Sequence, residues 1–233
     1  MRDDQNYNSQ SVEVFTVLKD AFRTYRNFLT KFLGLGLIYG IFNEISELVW
    51  RRFSPQNIGV FILLNVFLTS WVAMAIIFTS SEICQGKTIS LSEAFNKTRH
   101  RYFSFISVWL STLMLVGIGV FLWIIPGIFV AVITIFTSLV TVLEETSYLE
   151  SFRQSASLVR GYFWEVFLFL GCIFLLMTVT VLPLGLSAEH IGITSRLLKI
   201  VGVFLGPFLI LAQVKLYYAI KQWESHDQFY TSS

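Results

Sequence analysis

The stretch LEETSYLESFRQSASLVRGYFW, from Leu143 to Trp164, decides the fold. It is the polar interval between two apolar runs, Gly127 to Leu143 and Phe163 to Leu186, each long enough to cross about 30 Å of hydrocarbon. Inside it, Ser147-Tyr148-Leu149-Glu150 fits a capping box, where a hydroxyl and the carboxylate three residues later satisfy each other's orphan backbone donors. Arg160-Gly161-Tyr162-Phe163-Trp164 then turns the chain back toward lipid, because aromatic rings sit at headgroup depth and Arg reaches the phosphates. The stretch therefore predicts a surface helix between two spans, with Gly161 as a flexible or left-handed joint.

The same unit occurs three times, marked by Asp20-Ala21-Phe22, Glu93-Ala94-Phe95 and Glu150-Ser151-Phe152. In the first copy Val14, Phe15, Leu18, Ala21, Phe22, Tyr25, Phe28 and Leu29 share one side at helical spacing, and Glu13, Lys19, Asp20, Arg23 and Arg26 take the other. Such a helix is expected to lie in the membrane interface or to pack beneath the bundle. The second copy carries another capping box, so Ser90, Glu93, Ser147 and Glu150 are the expected helix caps. Asp20 lies too far inside its helix for that role and is expected to pair with Arg23.

Six apolar runs follow: Phe28 to Trp50, Asn57 to Ser80, Tyr102 to Ile125, Gly127 to Leu143, Phe163 to Leu186 and Leu197 to Ile220. The expected fold is an all-α integral membrane protein of six transmembrane helices in three hairpins, each preceded by an amphipathic helix. Its domains read as a polar, disordered segment 1–10, a single membrane domain 11–222 with pseudo-repeats at about 11–80, 88–143 and 146–221, and a polar tail 223–233. Of the 233 residues, 55% are hydrophobic and 14% charged, against about 45–50% and about 25% in soluble domains. The first ten residues are polar and acidic, unlike a secretory signal, so the spans are expected to direct targeting.

Charge supplies the orientation. Arg2, Lys19, Arg23, Arg26, Lys31, Lys87, Lys97, Arg99, Arg101, Arg153, Arg160, Lys215 and Lys221 fall on one side of the six runs, and Arg51, Arg52, Arg196 and Lys199 on the other. The positive-inside rule places both termini and all three amphipathic helices in the cytoplasm, with Pro126-Gly127 as a tight link on the outer side. A net charge of only +2 gives no footprint for nucleic acid. The expected partners are anionic inner-leaflet headgroups, touched by Arg23, Arg26, Arg99, Arg101, Arg160 and Trp164, together with a membrane-protein partner or a second copy. Cys84 and Cys172 read as unpaired packing residues.

Leu143-Glu144-Glu145-Thr146-Ser147, Ser151-Phe152-Arg153-Gln154-Ser155 and Leu158-Val159-Arg160-Gly161-Tyr162-Phe163-Trp164 resemble the signature of bacterial integral membrane proteins related to the membrane domain of glycerophosphodiester phosphodiesterases. In that group an acidic residue closes one span, a helix of Ala-x-x-x-Ser type follows, and an Arg-Gly-aromatic turn opens the next. Ala21 to Phe28, Ile125-Pro126-Gly127-Ile128, Gly206-Pro207-Phe208 and Leu216-Tyr217-Tyr218 are similar to it as well, so the likeness spans nearly the whole chain. Ser151 departs from the pattern, which usually has Ala. The resemblance implies a membrane fold in the bacterial plasma membrane. It argues against the hydrolase, whose (β/α)8 barrel needs about 250 residues.

Polar residues in the spans are the remaining candidates. Glu44 and Glu47 lie late in the first run, as an interfacial helix end in which Glu47 pairs with Arg51, or as a cation or proton site. Glu165 and Lys215 are expected near one boundary, as an ion pair, a gate or solvated groups. Asn43 and Asn65 read as interhelical glue, and Glu44, Asn65, Glu165 and Lys215 form the candidate intramembrane polar site. Gly36 with Gly40, and Gly202 with Gly206, are expected to let spans approach closely, and Pro183 and Pro207 to kink them. His100, His190 and His226 have no partner at metal spacing, and no phosphate loop or nucleophile elbow occurs, so no metal, cofactor or catalytic residue is expected. A non-enzymatic scaffold, assembly or envelope-maintenance role is the leading expectation. A transporter or channel for a small solute or lipid-derived molecule is the alternative.

Overall fold

The computed structural model describes residues 13–52, 58–186 and 191–231, with side chains described over 13–46, 48–49, 65–180, 182 and 197–224. Among these residues the protein is all-helical. Three amphipathic helices, α1 (Val14–Asn27), α4 (Leu91–Thr98) and α8 (Tyr148–Arg160), alternate with the apolar α2 (Leu29–Arg52), α3 (Ile58–Cys84), α5 (Tyr102–Leu122), α6 (Ile124–Thr134), α7 (Thr137–Leu143), α9 (Phe163–Leu186) and α10 (Ile191–Thr231). Among the described residues, five helical stretches are long and apolar enough to cross a membrane, and a sixth arises if α1 and α2 are counted together. Segment 1–10 lies outside the described residues, and α10 continues as helix through the polar tail to Thr231.

Each junction has a local cause. Phe28, at φ −113° and ψ 26°, ends α1, and α2 leaves it at 87°. After α3 the Gly86 amide donates to Ile83 O and the Lys87 amide to Glu82 O, and Gly86 takes φ +76°, a left-handed turn that glycine enters without steric cost. The link between α5 and α6 is not Pro126-Gly127: Trp123 alone turns the chain in extended conformation, and Pro126 and Gly127 sit in the first turn of α6. Gly127 is needed there because an added Cβ would lie 2.6 Å from the Val120 amide nitrogen. The run from Gly127 to Leu143 is likewise not one helix, since it breaks at Ile135 and Phe136. Gly161 is right-handed, at φ −79°, and the chain turns without the left-handed joint.

Two buried clusters form the interior. One joins Tyr25, Phe32, Leu35, Val72, Ala75 and Leu211, and the other gathers Phe105, Phe136, Leu139, Phe169, Tyr217 and Ile220. Both draw on α10, which packs against α1, α2, α3 and α9. Outside, Phe121, Phe174 and Trp164 are 90%, 73% and 70% exposed, in company with many apolar residues of α5, α6 and α9. Water would penalise such a surface, whereas hydrocarbon makes it unremarkable.

Candidate functional site

The break between α6 and α7 creates the first part of the site. An unpaired backbone group costs several kcal/mol in hydrocarbon, roughly, so a broken span must find partners within the protein. The Phe136 amide donates to Ser155 Oγ at 3.2 Å, and Ser155 Oγ donates in turn to Ile133 O at 2.7 Å. Gln213 Nε2 donates to Ile135 O. Further along, Ser151 Oγ lies 2.9 Å from Thr141 Oγ1 and 2.8 Å from Thr146 Oγ1, and donates to Ser147 O at 3.0 Å. Thr137, Thr141, Ser151 and Ser155 are fully buried. A polar seam thus fastens α8 and α10 to the broken span.

Two adjacent carboxylates close the seam and point to different partners. Glu144 accepts from Tyr217 Oη, and from Lys221 Nζ at 2.7 Å. Burial alone would raise its pKa, but the hydrogen bonds from Lys221 and Tyr217 and the Lys221 charge outweigh that, so the carboxyl titrates below its ordinary range. Glu145, in the left-handed region at φ 58°, meets Arg101 Nη2 at 2.7 Å. The end of α7 is thereby held between α10 and the start of α5.

Beside Glu145 a cavity of about 150 Å3 opens between Met74 and Phe78 on α3, Lys97 and Thr98 on α4, His100 and Arg101 in the 3-10 turn Arg99–Arg101, and Val142 on α7. Lys97 Nζ stands 5.6 Å over the Phe78 ring and 3.2 Å from Glu93. Arg101 Nε donates to His100 Nε2 at 3.3 Å. Trp71 meets Phe95 edge-on, and Tyr102 Oη donates to Phe67 O at 2.6 Å, which fixes α4 and the turn on α3. The lining has an apolar floor, cationic donors at its rim and one carboxylate, a set suited to an anion rather than to proton transfer. Among the described residues no group of three His, Cys, Asp or Glu could hold a metal ion.

Of the expected caps, Ser90 Oγ accepts from the Glu93 amide at 3.2 Å, while the Glu93 carboxylate pairs with Lys97. Ser147 makes no side-chain cap; its carbonyl accepts from Ser151 instead, so the second capping box is not formed. Asp20 and Arg23 are exposed and form no ion pair with each other. Arg23, Arg26, Arg99, Arg160 and Trp164 are exposed as well, whereas Arg101 is half-buried against Glu145.

The intramembrane candidates do not converge. Glu44 meets Lys199 Nζ of α10 at 2.6 Å, and Asn65 Nδ2 reaches Asn43 Oδ1 at 3.5 Å. No hydrogen bond or ion pair joins Glu165 to Lys215. The side chains of Glu47, Arg51, Pro183, His190 and His226 lie outside the described residues. Cys84 and Cys172 are free.

The sequence motifs give no structural role to Ser155, Gln213 and Tyr217, although a signal exists. Ser147, Ser151 and Ser155 recur at four-residue spacing, as do Thr137 with Thr141, and Gln213, Tyr217 and Lys221. Each set is a polar stripe on one helix face. No family model, curated protein or solved structure matches the chain.

Proposed function

We propose that the chain is a multi-pass bacterial inner-membrane protein of six spans in three hairpins, with both termini and α1, α4 and α8 in the cytoplasm. In this reading it acts without catalysis, as a scaffold, assembly or envelope-maintenance protein whose interfacial helices engage anionic headgroups and a membrane-protein partner. The resemblance to the membrane domain of glycerophosphodiester phosphodiesterases supports the membrane placement.

One observation carries the reading. In every triplet the small residue, Ala21, Ala94 or Ser151, is fully buried, while Arg23, Arg26, Arg99, Arg160 and Trp164 stay exposed. The three helices are docked on the bundle by their small side and present their basic side outward, where each Lys or Arg near an anionic leaflet contributes about 1 kcal/mol. Lipid copurifying with the protein, quantified by mass spectrometry, is expected to be enriched in phosphatidylglycerol and cardiolipin. Replacing Arg23, Arg26, Arg99 and Arg160 together by Gln should reduce that enrichment, and an unchanged lipid profile would overturn the headgroup role. Transport is the second reading, favoured by the Glu44 to Lys199 pair. It requires flux in proteoliposomes that Glu44→Gln and Lys199→Met abolish.

A further inference from the structure

We propose that the cavity between α3, α4 and the end of α7 binds the phosphodiester headgroup of one anionic phospholipid, with the Glu145 carboxylate as a built-in competitor for Arg101. This deepens the reading above and rests on its placement of α4 at the membrane surface. The rim offers Lys97, His100 and Arg101, and the planar Arg fork matches two phosphate oxygens at once. Glu145 now occupies Arg101, but its side chain is 64% exposed and its backbone is left-handed. Glu93, which faces Lys97, is 46% exposed. Exposed carboxylates hold such contacts weakly, so a phosphate arriving from the membrane can displace them.

The floor identifies the source of the anion. Met74 and Phe78 lie on α3, within the apolar stretch Asn65–Cys84, and Val142 lies in the stretch Ile124–Leu143. A free phosphate gains nothing from these side chains, whereas the glycerol and first acyl carbons of a lipid bury apolar surface on them. A zwitterionic headgroup is disfavoured because its ammonium would face the same cationic rim.

The test is a lipid titration of the purified full chain in neutral detergent, read by thermal melting and native mass spectrometry. Short-chain phosphatidylglycerol, phosphatidylcholine and inorganic phosphate are the separate probes. Phosphatidylglycerol should add one retained lipid and raise the melting temperature, and the other two should not. Lys97→Gln combined with Arg101→Gln should weaken its binding about tenfold, as loss of charge-assisted hydrogen bonds predicts. Lys87→Gln, at an exposed side chain outside the lining that pairs with Glu82, should leave it unchanged.

Glu145→Asn removes the carboxylate and places a residue that tolerates left-handed backbone. It should tighten phosphatidylglycerol binding about threefold, as expected from removing an exposed ion pair, and a gain of binding does not arise from misfolding. Equal affinity in Glu145→Asn and wild type, or equal stabilisation by inorganic phosphate, overturns the proposal. The wider reading fails separately: it is lost if the four-arginine variant keeps its lipid enrichment, even while the titration still depends on Arg101.

Discussion

Ala21, Ala94 and Ser151 are the residues on which the amphipathic helices turn, because each is fully buried where its helix meets the bundle. Ala94→Leu adds three heavy atoms to a filled contact and should cost about 1–3 kcal/mol, measured as a lower melting temperature in detergent. Ser151→Ala keeps the size but leaves Thr141 and Thr146 without their shared partner. Ser155→Ala goes further, since it orphans the Phe136 amide and the Ile133 carbonyl together. It should cost about 1–3 kcal/mol per orphaned group and exceed the effect of Ser151→Ala.

Glu144 gives the residue scale a pH dependence. Its pKa is lowered on folding from the ordinary value of 4.5. The contribution is therefore full above that value and is lost as pH falls toward the lower folded pKa. Melting temperatures of wild type and Glu144→Gln should differ most near neutrality and converge on acidification below about pH 4.5, with the wild-type curve the steeper. Lys221→Met should move that convergence to higher pH.

At the scale of elements, the crossing of α2 and α10 depends on Pro207. Proline has no amide hydrogen, so the carbonyl of Val203, one turn earlier, has no donor in its own helix. Gly36 of α2 sits against that carbonyl so closely that an added Cβ would overlap it, and Gly40 lies against the Val203 side chain. Tyr25 of α1 donates to the next carbonyl, Phe204 O, at 2.9 Å and stacks on Phe32. Gly36→Ala should therefore destabilise the protein by about 1–3 kcal/mol through overpacking. Gly202→Ala and Gly206→Ala, with nothing within 4 Å, should be neutral or stabilising, by up to about 1 kcal/mol from helix propensity. The four glycines look alike in sequence, yet they separate into one contact pair and one open pair.

That contrast marks what was legible in the chain. Composition and period revealed the amphipathic helices and apolar runs, since both depend on residues near one another. The break at Ile135 and Phe136 was hidden, because Ile-Thr-Ile-Phe-Thr contains neither Gly nor Pro, and its partners Ser155 and Gln213 are distant in sequence. The cavity was half visible: Arg101 was singled out for headgroups, but Lys97 and His100 meet it only through the 3-10 turn that follows α4. At Ser151, where the resembled pattern usually has Ala, the hydroxyl makes buried hydrogen bonds that an alanine lacks.

For the molecule as a whole, the proposed topology makes a labelling prediction. In a chain with Cys84 and Cys172 replaced by Ser, single cysteines at Lys19 and Arg153 should react with an impermeant maleimide from the cytoplasmic face alone. A cysteine at Arg51 should react from the opposite face, and label at Lys19 from that face would refute the arrangement. The extensive apolar exposure of α9, with Phe174, Leu175 and Val179 all at 63% or more, predicts that this helix is the one most labelled by lipid-borne photoreactive probes.

From Tyr102 to Leu143 the chain has no charged side chain, and the turn at its middle exposes Phe121, Leu122, Trp123, Ile124 and Ile125. In the proposed topology, delivering α5 and α6 into a bilayer drags no ion across it, whereas the end of α2 carries Arg51 and Arg52 through, at about 2.5–3.5 kcal/mol each at the bilayer centre. Biogenesis of the two halves then makes unequal demands on the insertion machinery. The α5–α6 pair can enter as a preformed unit when insertase capacity is limiting, and depletion of that capacity should arrest the chain first at the crossing of Arg51 and Arg52.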